Sequence, residues 1–210
     1  MTRDPCRILS FDARSGLALT AAVGAALLWS GIQPTDRLTW FMEVIWVMVG
    51  VPILLLTWRR FPLTRLLYVL IALHCLLLIV GGRYTYAQVP LGFWVQDWLE
   101  LSRNHDDRFG HFAQGLVPAI LARELLLRLT PLRPGGWLAC LCVAAALSFG
   151  AFFEMIEWWA ALIWGGAADA FLATQGDIWD TQWDMFMALI GALCALTLLS
   201  RWHDRQLGIR

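Results

Sequence analysis

Three groups of residues in this chain have the types and spacing to do chemistry. Glu154 and Glu157 stand three residues apart in FFEMIEWW, which stacks both carboxylates on one helical face. Asp107 and His111 stand four apart in DRFGHF, again on one face. Asp177, Asp180 and Asp184 follow an i, i+3, i+7 pattern in ATQGDIWDTQWDM, one helical stripe if the last helix begins near Gly176. Carboxylates with one imidazole suit a divalent cation, Mg²⁺ or Mn²⁺ before Zn²⁺, because neither further histidines nor cysteines accompany them. The expected cation ligands are Asp177, Asp180, Asp184, Asp107 and His111. Glu154, Glu157 and His111 are the expected catalytic groups, since one of two crowded carboxylates keeps its proton, as a general acid must. The chain has neither a Gly-x-Ser-x-Gly elbow nor a His-Glu-x-x-His motif, so hydrolysis here would use activated water.

The elements that must position these groups follow from composition. Of 210 residues 59% are apolar and 15% charged, and thirteen are Trp, a residue favoured at membrane interfaces. This composition describes an all-α, polytopic transmembrane bundle in one integral membrane domain across 1–210. Sixteen acids balance sixteen bases, every one of them Arg, which argues against nucleic acid as a partner. Six runs are long enough to span a hydrocarbon core of about 30 Å: 16–32, 40–57, 66–81, 109–129, 137–164 and 183–200. The fourth is interrupted by His111, Gln114, Arg123 and Glu124.

With the N-terminus cytoplasmic, the inner side receives Arg3, Arg7, Arg14, Arg59, Arg60, Arg65, Arg128, Arg133, Arg201, Arg205 and Arg210. The outer side receives Arg37, Arg83, Arg103 and Arg108. This bias predicts both termini inside. The first run lacks a small-x-small cleavage site and reads as a retained helix. Cys6 falls in the cytoplasm and Cys75, Cys140, Cys142 and Cys194 within spans, which argues against a disulfide framework. Glu154 and Glu157 then lie about 26 and 30 Å along the fifth span at about 1.5 Å per residue, near the outer side. His111, Asp106, Asp107, the three Asp of the last loop and Glu43 share that side. Between Gly82 and Arg108, VPLGFWVQDWLEL predicts a short interfacial helix that could roof the acids.

The segments DRFGHFAQGLVPAILARE, FFEMIEWW and TQGDIWDTQWDM together resemble the YjdF-type inner-membrane proteins of bacteria. The resemblance covers most of the chain. It implies an inner-membrane location and a helical fold, and it brings no substrate or catalytic assignment. It marks Asp107, Arg108, His111, Arg123, Glu124, Glu154, Glu157, Gln175, Gly176, Asp177, Trp179, Asp180, Gln182 and Asp184 as family-type positions.

Three functions fit these residues. One is a cation-dependent membrane enzyme acting on a lipid or envelope substrate from the outer leaflet. Another is a small transporter or ion-coupled permease; against it, His74 is the one ionisable residue near mid-span, and a lone histidine there reads as a packed core residue. The third is a scaffold whose acids pair with Arg108, Arg103 or Arg83 to lock helices, with Arg123 and Glu124 making a similar contact near the inner side. Seven acids face four outer Arg, so pairing leaves a surplus that needs protons, water or a cation.

Overall fold

The computed structural model describes residues 12–209, and Arg3, Cys6, Arg7 and Arg210 lie outside them. Within that range the chain is helical, with α1 (Ala13–Ser30), α2 (Arg37–Thr57), α3 (Arg65–Tyr84), α4 (Pro90–Trp98), α5 (Asp106–Leu129), α6 (Gly136–Trp164), α7 (Asp169–Leu172), α8 (Asp180–Cys194) and α9 (Ser200–Leu207). A π turn over Ala195–Leu199 joins α8 to α9. Five helical stretches are long and apolar enough to cross a membrane: α1, α2, α3, the run from Gly136 to Leu172, and the run from Asp180 to Leu207. The helix α5 has comparable length, 24 residues, but carries six charged side chains and two further polar ones, His111 and Gln114.

That polarity decides where α5 sits. Backbone and side-chain polar groups in hydrocarbon must find partners within the protein. Twelve of its residues are buried, among them Asp107, His111, Gln114, Arg123 and Glu124. It packs against α3, α6 and α8, while the apolar α1 leans on α3 at the periphery.

Close approach to α8 is made by absence of side chains. A Cβ on Gly115 would collide with the Ala188 carbonyl, and one on Gly191 with the Phe112 carbonyl. Each helix thus offers the other a glycine, the small-residue contact that lets membrane helices pack by van der Waals attraction. Around this crossing Ala119, Ala146, Ala192 and Ala195 are fully buried with Leu67 and Ile120. On α6, Gly150 faces the Ala188 methyl, where a Cβ would stand 3.5 Å away.

At the far end of α5, Glu124 is fully buried and accepts from the Thr64 amide (3.0 Å) and hydroxyl (2.7 Å) and from Arg128 (2.7 Å). His203 Nε2 lies 2.9 Å from it, and Arg123 bridges His203 Nδ1 (3.0 Å) and Asp204 (2.7 Å). Arg123 and Glu124 therefore do not pair with each other; both are held through α9, because consecutive residues on a helix point about 100° apart. Gln206 on the same helix accepts from the Leu66 amide at 2.9 Å.

Gly115→Ala and Gly191→Ala should each destabilise the protein by on the order of 1 to 3 kcal/mol, the cost of forcing two packed elements apart. Gly24→Ala, whose Cβ meets nothing within 4 Å, is the control. Thermal unfolding in detergent checks this, and equal midpoints for all three variants would contradict the packing described.

Candidate functional site

The other end of α5 gathers the acids. Its first turns bring Asp107 and His111 inward, α6 supplies Glu154 and Glu157, α8 supplies Asp180 and Asp184, and α2 supplies Glu43; all seven are buried. His111 is the hub. Its Nε2 lies 3.8 Å from Asp107 Oδ1 and 3.6 Å from Glu154 Oε1. One ligand atom each of Asp107, His111 and Asp184 lie within 4.8 Å of one another, and so do one each of His111, Glu154 and Glu157. Phe153 places its ring edge-on to the imidazole at 6.0 Å and closes that side to water.

The arginines of this end reach Asp180 and the loop residue Asp177 but none of the other described acids. Arg103 binds Asp180 at 2.6 Å and the Thr174 carbonyl at 2.7 Å, and reaches Asp177 at 3.5 Å. Arg108 binds Asp177 at 2.6 Å and lies over the Trp183 ring at 5.0 Å. Arg83 sits over Trp29 and Tyr84 and meets none of the acids. Among the described residues, no arginine lies within ion-pair distance of Asp107, Glu154, Glu157, Asp184 or Glu43. Glu154 Oε1, Asp184 Oδ1, Glu43 Oε2, His111 Nδ1 and Gln114 Oε1 are buried without a hydrogen-bond partner there.

The five expected cation ligands thus divide. Asp107, His111 and Asp184 converge, Asp180 is held by Arg103, and Asp177 is a loop residue. The expected stripe of three aspartates does not form, because α8 begins at Asp180 rather than near Gly176. Ala173 (φ 50°), Gln175 (φ 48°) and Gly176 (φ 83°) take left-handed backbone that a helix does not accept. Asp177 instead accepts from the Trp179 amide at 2.9 Å and closes the turn into α8.

The connection before α5 is helical as expected, yet α4 is not the part that reaches the acids. Trp94 and Trp98 are 70% and 82% exposed. The residue lining the acid cleft is Tyr86, in the 3₁₀ turn Tyr86–Gln88. Its ring lies against Gly81 of α3, where any Cβ would collide with it, and 3.1 Å from the position a Cβ would take on Gly110 of α5. Burial, and then the charges of Glu43 and Asp107, push its phenol well above the ordinary value, so it keeps its proton. Asn104 holds the start of α5, donating to the Val89 carbonyl (3.1 Å) and accepting from the Asp106 amide (2.9 Å); Gln175 donates to its carbonyl at 2.7 Å. Tyr86 and Asn104 were not legible as site residues. The signals were the glycine pair Gly81–Gly82 and the Asn two residues before an acidic helix start.

Residues 16–205 match a family described as "Predicted membrane protein (DUF2238)". The inner membrane protein YjdF of Escherichia coli (strain K12) is 57% identical over 181 residues, covering 86% of this chain and 87% of that protein. The chain belongs to this family. Together with its apolar helices, the match makes it a multi-pass membrane protein. No solved structure matches the chain.

Arg103→Ala should destabilise more than Arg108→Ala, by roughly 3 kcal/mol, because it strands the buried Asp180 while Asp177 is partly exposed and bonded within its turn. Arg103→Lys should recover only part of this, since an ammonium cannot span Asp180 and the Thr174 carbonyl as the planar fork does. Thermal midpoints of the three variants check both statements.

Proposed function

We propose that this protein is an inner-membrane enzyme that uses a divalent cation at His111 to hydrolyse a lipid or envelope substrate. The observation that carries this is the set of four buried carboxylates around one imidazole with no arginine to neutralise them. Buried charges of one sign require protons or a cation, and two of the acids present bare oxygens toward the histidine. Oxygen-rich ligation with one nitrogen favours Mg²⁺ or Mn²⁺. His111, Asp107 and Asp184 would hold the ion, which supplies a Lewis acid and a bound water of lowered pKa. Glu154 and Glu157, adjacent on α6, would take the proton from water and return one to the leaving group. The scaffold reading accounts for Asp177 and Asp180, whose arginines tie the loop before α8 to the start of α5. It gives no role to the five acids without arginine.

In this proposal α5 is a sixth crossing, both termini are cytoplasmic, and the acid cluster opens to the outer side. Supporting it, Arg59, Arg60, Arg65, Arg128, Arg133, Arg201 and Arg205 flank the helix ends opposite the acids. The relative from Escherichia coli is named an inner membrane protein.

Metal analysis of the purified protein should find about one Mg²⁺ or Mn²⁺ per chain, and added metal at a hundred times its Kd should raise stability by about 2.7 kcal/mol. Asp184→Ala and Asp107→Ala should lose both effects, whereas Asp177→Ala should keep them. Wild-type protein showing neither bound metal nor a metal-dependent thermal shift would refute the cation site. For orientation, single cysteines are placed at Ile178 and Arg133 after the native ones are replaced. A membrane-impermeant maleimide should label intact cells at the first position only, and the opposite pattern would invert the topology.

A further inference from the structure

Next to the acid cluster a half-open cavity of about 300 Å³ lies between α2, α3, α5 and α6. Its walls are apolar, and the polar side chains lining it are His74 and Gln114. Those two residues, with Leu78 and Phe153, also line the narrow cleft beside Glu43, Tyr86, Asp107 and His111. Cavity and acid cluster therefore share a wall, and the shared wall is the polar end of an otherwise greasy space. Two backbone features keep the space open. A Cβ on Gly50 would meet nothing within 4 Å, and Pro118, which lines the cavity, has no N–H for the Gln114 carbonyl four residues before it.

We infer that this cavity holds one hydrocarbon tail of an amphiphilic substrate whose polar head reaches His111 and the carboxylates. The inference rests on the cation-enzyme reading and names its substrate class. Apolar space of this kind takes apolar guests rather than water. At about 30 Å³ for a water-sized group it accommodates on the order of ten methylene-sized groups. Three of its four walls, α2, α3 and α6, are helices long and apolar enough to stand in a bilayer, where acyl and prenyl chains are the guests at hand. Gln114 and His111, side by side on α5, supply polar contacts where the tail would meet its head group.

The test uses full-length protein in nanodiscs containing a phosphatidylglycerol with a diazirine midway along one palmitoyl chain, and in parallel a diazirine palmitic acid. Crosslinks are mapped by mass spectrometry and metal content is measured on the same samples. Wild-type protein should be labelled on Ile71, Leu121 and Phe149. Gly50→Phe and Ile53→Trp, two independent plugs of which the second starts from a half-exposed side chain, should reduce that labelling roughly tenfold, about 1.4 kcal/mol in occupancy. Labelling of the lipid-facing Leu56 and Leu198 should not change, and both plugged variants should retain their metal. Whichever probe labels the cavity more strongly identifies the tail as esterified or free. Cavity labelling equal in wild type and both plugged variants would overturn the inference. If that happened with the metal still present and lost in Asp184→Ala, the cation reading would stand without it; cavity labelling in a protein that holds no metal would leave the tail site and remove the cation.

Discussion

A helix bearing Asp107, His111, Gln114, Arg123 and Glu124 has one tolerable place in a hydrocarbon slab, which is the middle of a ring of other helices. Every other arrangement would leave ionisable groups facing lipid tails, at about 2.5 to 3.5 kcal/mol for each charge near mid-span. The rest of the fold answers that constraint. The apolar α3 and α6 pack on the polar helix, and the glycines at 115 and 191 let α8 approach until backbone touches backbone. In that contact, side chains on α8 arrive within reach of those on α5 without long flexible arms, which is what a set of short Asp side chains around one imidazole requires.

Both ends of α5 are polar, but they are resolved by opposite means. At Glu124 every strong acceptor is met: an amide, a hydroxyl, a guanidinium and an imidazole converge on two oxygens. This is a satisfied network, and its work is to fasten α3, α5 and α9. At His111 no guanidinium takes part, and carboxylates gather around the imidazole. Glu124 matches a structural part, and the unmet groups beside His111 are what the proposed function rests on.

Much of this was legible in the sequence. Hydropathy placed the long helices within a few residues, and the i, i+3 and i, i+4 spacings placed Glu154 with Glu157 and Asp107 with His111 on common faces, because helical periodicity is a local property. Asp177 misled because the same spacing is also produced by a turn: left-handed backbone at Gln175 and Gly176 is a conformational choice that residue type alone signals weakly. Counting arginines against acids gave a correct surplus but not its location, since which acid an arginine takes is a three-dimensional matter. Arg83 illustrates this, drawn to Trp29 and Tyr84 instead of a carboxylate. Tyr86 and Asn104 were invisible for the same reason. Tyr86 sits where Gly81 of α3 has no Cβ and the Asn104 side chain where Gly92 of α4 has none, and which side chain fills such a space is not written in the glycine.

The helix α5 carries both polar layers on one rigid rod, with His111 and Glu124 roughly 20 Å apart at about 1.5 Å per residue. That rod is a ruler. A helix does not stretch, so a thicker or thinner bilayer cannot change the separation of the two layers and must be met by tilt of the whole bundle or by local deformation of the lipid. With α5 as the proposed sixth crossing, the depth of the acid layer below the head groups depends on the thickness of the surrounding membrane, making lipid chain length a physical variable acting on the site without any contact to it.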